Sequence, residues 1–199
     1  MRRRTAGALA ALLTAPLTLG WARPVDVLTL QPQSRLWIDG SSTMRRFTCR
    51  AGTIETAVET SGPGAVAAVL AGEKAVRTVA VRVPAEKLDC GNGTMNEHMW
   101  KAIKAKDAPT IEFRVTGYDV DRADGVVHGT LNGTLSLGGV QHPVAVRAEG
   151  RPDASGALHV VGSHEIRMTE FGLKPPSLMM GTMKVDERVK VSFELYLKG

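Results

Sequence analysis

The sequence predicts a mainly β fold, an antiparallel β-barrel of about eight strands with one short α-helix. Two observations carry this prediction. Apolar and polar residues alternate along several segments, most clearly in residues 189–197, where every second residue is apolar. Several of these segments also exceed ten residues. Closing such long strands into a barrel removes the open edges that they would otherwise expose, which favours a barrel over a sandwich.

The first 22 residues have the pattern of an export signal. Three arginines at positions 2–4 precede an apolar run over residues 6–19, and Gly20 and Ala22 flank a cleavage point. We therefore expect residues 1–22 to be a signal peptide and the mature chain to be periplasmic or secreted. The apolar run is interrupted and too short for a comfortable membrane span, so the sequence predicts no stable membrane anchor.

The rest of the chain predicts one domain. Residues 23–34 are an extended lead-in, and residues 35–199 form the β domain, in which residues 46–60 are one long strand with a kink at Gly52. The small residues 61–72 predict a loop. The one convincing helix covers residues 96–107, with Thr94 or Asn96 as its N-cap and Met99, Trp100 and Ile103 on its apolar face. The other predicted strands are 35–39, 75–83, 111–116, 126–137, 144–150, 157–169 and 188–198.

The passage GTLNGTLSLGGVQHPVAV, residues 129–146, predicts a hairpin. Gly138 and Gly139 can take the positive φ angles of a tight turn, and Pro143 fits the start of the returning strand. His142 lies at the end of this hairpin without a nearby Cys, Asp or Glu. We therefore interpret it as a turn residue rather than a catalytic group or a metal ligand.

Charge and motif patterns exclude two classes of function. The formal net charge of +5 falls to +2 without the three leader arginines, and aromatic residues make up only 5% of the chain. This leaves no basic stripe or stacking platform for nucleic acid. The sequence also lacks a nucleophile elbow, a Walker loop, a dinucleotide-binding glycine motif and a metalloprotease helix motif. We therefore predict a protein that is not an enzyme and needs no cofactor.

Two cysteines in an exported chain indicate one disulfide, Cys49–Cys90. The alternative is a pair of free buried thiols. A zinc site is disfavoured, because two cysteines this far apart have no histidine partners at short spacing.

Met179, Met180 and Met183 form a cluster that supports two interpretations. Thioether sulfurs could hold Cu(I) in an exported protein. Methionine is equally suited to line an apolar cavity that adapts to a flexible guest, and we favour this interpretation because no nearby His or Cys completes a copper site. His164 and Glu165 could form a hydrogen-bonded pair on a strand face.

Four passages follow one another along the chain: RLWIDGSSTMRRFTC, then VPAEKLDCGNGTMNEHMWKAIKAKDAPTIEF, the hairpin described above, and TEFGLKPP before a closing strand. In this order they resemble the YceI-like family across about residues 35–198. The most specific parts are the helix-to-strand passage with His98 and residues 109–113, and the hairpin residues Gly139, Val140, Pro143 and Val144. The resemblance implies a lipocalin-like antiparallel barrel in the periplasm that holds a long apolar guest, such as a polyisoprenoid or a fatty acyl amphiphile.

On this reading the chain is a non-enzymatic binding protein or carrier for an amphiphile. Lys174 or Arg167 would pair with a phosphate headgroup near solvent. Two alternatives remain: a copper-handling protein that uses the methionine cluster, and a secreted interaction module whose barrel is filled by its own side chains. The sequence leaves a monomer and a homodimer open. The predicted ligand-lining residues are Ile111, Phe113, Val115, Leu131, Leu135, Phe171, Met179, Met180 and Met183.

Overall fold

The computed structural model of the protein describes residues 26–199, without the side chains of Leu178 and Met179. The predicted signal peptide, residues 1–22, lies outside the described residues. The strands are β1 Thr29–Leu30, β2 Arg35–Ser41, β3 Arg46–Ala51, β4 Glu55–Thr60, β5 Val76–Pro84, β6 Leu88–Asp89, β7 Thr110–Ala123, β8 Val126–Leu137, β9 Val140–Pro152, β10 Leu158–Arg167, β11 Ser177–Leu178, β12 Met183–Lys184 and β13 Arg188–Lys198. The α-helices are α1 Ala65–Leu70 and α2 Gly93–Ala102.

The main sheet is antiparallel and curls into a barrel. Its strands follow the order β4-β5-β7-β8-β9-β10-β13-β2-β3-β6. The ends of this order are joined because β3 continues into β4 and β5 continues into β6, while β3 pairs with β6 and β4 pairs with β5. The pairs therefore form a ring, and the predicted mainly β, lipocalin-like barrel with its long strands is confirmed.

The kink predicted at Gly52 lies at the bend between β3 and β4. The Gly52 N–H donates a hydrogen bond to the Lys87 carbonyl in the matching bend between β5 and β6. The chain over β3–β4 and the chain over β5–β6 lie side by side and bend at the same level. The predicted strand, residues 46–60, is therefore divided into two strands.

The lead-in belongs to the barrel, although the sequence pattern places the domain boundary at residue 35. β1 pairs with the end of β13, and an isolated bridge joins Val27 to Glu59 of β4. Leu28 is buried between these strands. Its burial explains why this short stretch joins the sheet.

Both helices differ from the sequence prediction: α2 begins earlier than predicted, and α1 was not predicted. Helix α2 begins at Gly93, three residues before the predicted start, because the Asn92 side chain accepts a hydrogen bond from the Met95 N–H at 3.0 Å and caps it. Helix α1 lies in the segment predicted as a loop. Its sequence AVAAVL has no polar face, so helical periodicity is invisible there, and packing rather than pattern determines its structure.

Candidate functional site: an apolar cavity with one polar mouth

The barrel encloses a cavity of about 520 Å³ whose lining is almost wholly apolar. Inward-facing residues of the strands of the main sheet supply the wall, because alternate side chains along a strand point to the same face. On β10, for example, Leu158, Val160, His164 and Ile166 face the cavity. The second alternative, an interaction module whose barrel is filled by its own side chains, does not agree with this open interior.

Three glycines make room for phenylalanine rings inside the wall. A Cβ atom on Gly40, Gly133 or Gly162 would overlap the ring of Phe47, Phe113 or Phe193, respectively. Each ring lies across a glycine of the neighbouring strand and lines the cavity. Each ring therefore occupies the space above the glycine that a side chain at that position would fill. More of the cavity stays open as a result.

One end of the barrel, here called the α1 end, is packed with apolar side chains. Leu28, Val58, Leu158 and Leu197 form a buried cluster there, each no more than 8% exposed. The apolar residues of α1 pack against this cluster, namely Val66, Val69 and Leu70. The cavity therefore ends against a hydrophobic floor.

The opposite end, here called the α2 end, carries the mouth. Cavity-lining residues at this end are polar and accessible: Arg45, Asn92 and Thr94 are exposed, and Ser42 and His98 are half-buried. Beside the mouth, a second buried cluster closes the remainder of this end; its members are Leu135, Leu137, Ile166, Met168, Phe171 and Leu173. A guest would therefore place its apolar part deep in the barrel and its polar part at the mouth.

A disulfide and a hydrogen-bond network fix α2 at the mouth. The predicted Cys49–Cys90 disulfide is confirmed, and both cysteines line the cavity. It links β3 to the segment that enters α2. The Asn96 side chain accepts from the Cys90 N–H at 2.7 Å and donates to Asp89 at 2.8 Å. The latter bond, followed by one from the Gly91 N–H, lowers the pKa of the Asp89 carboxyl.

Two loops complete the rim on the other side of the mouth. The rim turn, residues 42–45, connects β2 to β3, and the rim hairpin, residues 177–184, contains β11 and β12. The Thr43 hydroxyl donates to the Thr182 carbonyl at 3.1 Å, and the Thr43 N–H donates to the Lys184 carbonyl at 3.0 Å. Met183 and Val185 face the cavity from the hairpin side.

The structure brings five of the nine predicted ligand-lining residues to the cavity. These are Ile111, Phe113, Leu131, Leu135 and Met183. Whether any of them contacts a ligand stays a prediction.

The other four predicted positions are not in the cavity lining as described. Val115 lies at a β-bulge between Val115 and Gly117, which shifts the register of β7. It contributes to a shallow outer pocket instead. Phe171 is 1% exposed and packs inside the cluster beside the mouth. Met180 projects into solvent from the rim hairpin, and the side chain of Met179 lies outside the described residues.

The two methionines of the cluster whose side chains the structure describes point in different directions. Met180 is fully exposed, whereas Met183 lines the cavity. Within residues 26–199, no three His, Cys, Asp or Glu side chains are grouped to hold a metal ion. The geometry of this segment therefore gives no support to the copper alternative.

The cation at the mouth differs from the one expected. Lys174 and Arg167 are absent from the cavity lining, and Arg167 pairs with Glu187 at 3.6 Å. Arg45 lines the mouth and makes no ion pair within the described part of the chain. Its signal in the sequence was weak, because it is one of two adjacent arginines in a turn.

His98 and His164 also face the cavity, although the sequence pattern gave them no role there. His164 lies on the inward face of β10, opposite to Glu165, which forms a surface pair with Arg188 at 3.5 Å. The suggested His164–Glu165 pair is therefore wrong, because consecutive residues on a strand point to opposite faces. His142, interpreted as a turn residue, lies just past the Gly138–Gly139 turn and inside β9, where it pairs with Leu135 and its Nδ1 is 3.0 Å from the Pro143 carbonyl.

Neither described helix is long and apolar enough to cross a membrane.

Known structures share this architecture at low sequence identity. Burkholderia cenocepacia BcnA is 15% identical with a TM-score of 0.65, and the match covers 84% of this chain and 97% of that one. A polyisoprenoid binding domain from Saccharophagus degradans, implicated in plant cell wall breakdown, is 14% identical with a TM-score of 0.62, covering 87% and 97%. A Campylobacter jejuni YceI protein is 13% identical with a TM-score of 0.56, covering 96% and 99%. At sequence identities this low, these structural matches show that the fold is shared.

Sequence comparison gives the family. No curated protein matches the chain. The profile of the YceI-like domain matches residues 37–197, which includes nearly the whole barrel, both cysteines and the mouth. The chain therefore belongs to the YceI-like family.

Proposed function

We propose that the protein is an exported, non-enzymatic carrier for an amphiphile of the polyisoprenoid or fatty acyl type. The observation that carries this proposal is the apolar cavity of about 520 Å³, which meets solvent through a polar rim at one end. A volume of this order falls within the range of small-molecule sites. The polyisoprenoid-binding domain among the structural neighbours and the predicted export signal support the proposal.

Burial of the apolar chain supplies the affinity. Each methylene removed from water contributes about 0.8 kcal/mol, so ten of them contribute roughly 8 kcal/mol before the cost of association. Association itself costs about 4–15 kcal/mol, so the net affinity depends on how many methylenes are buried rather than on a specific polar contact. The cavity wall therefore needs no catalytic or coordinating group to hold a guest.

The mouth is suited to a polar or anionic headgroup. Arg45 carries a full positive charge, and His98 adds a hydrogen-bonding ring on the α2 side. A guanidinium can bind a phosphate or carboxylate through two hydrogen bonds. We place the headgroup at Arg45, with the chain directed toward the α1 end.

The test is extraction and mass spectrometry of lipid that co-purifies with the mature protein. We expect an amphiphile with a long apolar chain in the wild type and its loss from the variant Leu131→Trp/Val160→Trp, whose larger side chains fill the cavity. The matched control is Thr130→Trp/Val161→Trp, in which the neighbouring, outward-facing residues of the same strands change. Wild-type protein that contains and accepts no lipid, or equal lipid in both variants, would contradict the proposal.

A further inference from the structure

We propose that the rim of the mouth is a docking surface for an anionic lipid bilayer. This inference rests on the proposed function, because docking there would bring the cavity mouth against the membrane from which an amphiphile is loaded. The rim turn and the rim hairpin form the surface, and the hydrogen bond between Thr43 and Thr182 holds their tips together.

Exposed apolar side chains are concentrated at this rim. Among the described residues, three large hydrophobic side chains are exposed: Val27, Met44 and Met180. Met44 is 65% exposed at the tip of the rim turn, and Met180 is fully exposed at the tip of the rim hairpin. The backbone of Met180 has a φ of 54°, a left-handed conformation that is uncommon for a residue with a side chain.

Positive charge surrounds the two methionines. Arg45 and Lys184 belong to these two loops, and Arg46 follows the rim turn as the first residue of β3. None of the three forms an ion pair within residues 26–199. The acidic residues that follow the hairpin are Asp186 and Glu187, and Glu187 is paired with Arg167 at 3.6 Å. The loop tips themselves therefore carry cations and no acid.

The α1 end carries charge of the opposite sign. The last residues of β7 and the β7–β8 turn carry Asp119, Asp121 and Asp124, of which Asp119 pairs with Lys74 at 3.1 Å. An anionic surface would therefore attract the α2 end and repel this turn. This difference orients the barrel with its mouth toward the lipid.

A bilayer fits these features better than a protein partner. Among the side chains that the structure describes, Met44 and Met180 are the exposed large hydrophobics of the rim, and two side chains offer far less area than a stable protein interface needs. They are suited to insert between headgroups, where cations nearby add electrostatic attraction to anionic lipid. The mouth would then open toward the region where an amphiphile already has its apolar chain buried.

Vesicle sedimentation tests the proposal with the purified mature chain. The protein should bind vesicles of phosphatidylcholine with about a third phosphatidylglycerol, and much more weakly phosphatidylcholine alone. Arg46→Gln/Lys184→Gln should weaken binding to the anionic vesicles roughly 25-fold, at about fivefold for each cation. Met44→Ser/Met180→Ser should weaken binding to both vesicle types.

The matched controls remove the same kinds of side chain, cationic or exposed apolar, at positions away from the rim. Lys190→Gln/Lys198→Gln lowers the net charge equally, but on the barrel wall and near the α1 end, and Val27→Ser removes the exposed apolar residue of the α1 end. Both controls should bind vesicles like the wild type. Wild-type protein that does not sediment with anionic vesicles, or control variants as weak as the rim variants, would overturn the docking surface.

A second readout separates docking from ligand binding. A fluorescent fatty acid added from solution reports on the cavity alone, and the rim variants should bind it like the wild type. Loss of vesicle binding with retained probe binding supports the docking surface. Vesicle binding without any probe binding would overturn the carrier function while leaving the docking surface in place.

Discussion

The two ends of this barrel are stabilised by different kinds of interaction. The α1 end is held by apolar packing between a short helix and a buried cluster. At the α2 end, the C-terminal part of the helix packs on the cluster beside the mouth, but its entry is held by the disulfide and by the Asn96 hydrogen bonds, and the rim hairpin is held by bonds to Thr43. Apolar side chains packed across the whole α2 end would block the mouth of the cavity. The open part of this end therefore depends on covalent and polar links, and apolar packing is confined to the cluster beside the mouth.

Removal of the disulfide should have the largest effect. The bond closes a loop with a sequence separation of 41 residues, so the variant Cys49→Ala/Cys90→Ala should lose about 4 kcal/mol of unfolding free energy. Urea unfolding measures this loss. In hydrogen exchange, α2 should lose protection at low urea while α1 keeps it. Equal loss of protection in both helices would show that the two ends are not stabilised separately.

A substitution in the buried cluster at the α1 end should have the next largest effect on stability. Leu158 is 4% exposed in the cluster beneath α1, so Leu158→Ala should lower the free energy of unfolding by about 3 kcal/mol through the cavity it leaves. Val27→Ala, at an exposed position of the same end, should change it by less than about 0.5 kcal/mol. A small effect at Leu158 in urea unfolding would mean that this end is not sealed by packing.

The barrel wall near the α1 end contains a charged cluster with a smaller predicted effect. Glu194 accepts hydrogen bonds from Arg35, Tyr196 and His159, and the bond from Arg35 is the main cause that lowers its pKa below the ordinary value of 4.5. The charged form therefore stabilises the fold above pH 4.5, and this contribution is lost as the pH falls through the folded-state pKa.

The variant Glu194→Gln should accordingly lose about 1 kcal/mol at neutral pH, a value kept low because the Arg35 side chain is largely exposed. The difference from wild type should shrink toward zero in urea unfolding at acidic pH. The control is Glu165→Gln, whose carboxylate is 63% exposed in its pair with Arg188 and should contribute little at any pH. A loss that does not depend on pH would assign the effect to packing.

The sequence predicts the wall of this molecule better than its ends. Alternation identifies the strands and the inward positions Ile111, Phe113, Leu131 and Leu135, because strand periodicity is a local property. Val115 departs from it because a bulge changes the register. The ends depend on contacts between distant segments. Neither α1 on its cluster nor Arg45 at the mouth has a local pattern that marks its place.

The smallest expected change in stability concerns the cavity near the mouth. In Gly40→Ala the new Cβ would overlap the Phe47 ring, which must swing into the cavity, at a cost of about 1 kcal/mol or less. The displaced ring shortens the space for a chain, so affinity for the longest fatty acyl probe that fits should fall about fourfold for each excluded methylene. Short probes should bind unchanged. Gly117→Ala is the control, because a Cβ there meets no atom within 4 Å. Equal loss for short and long probes would show that the ring does not set the length of the cavity.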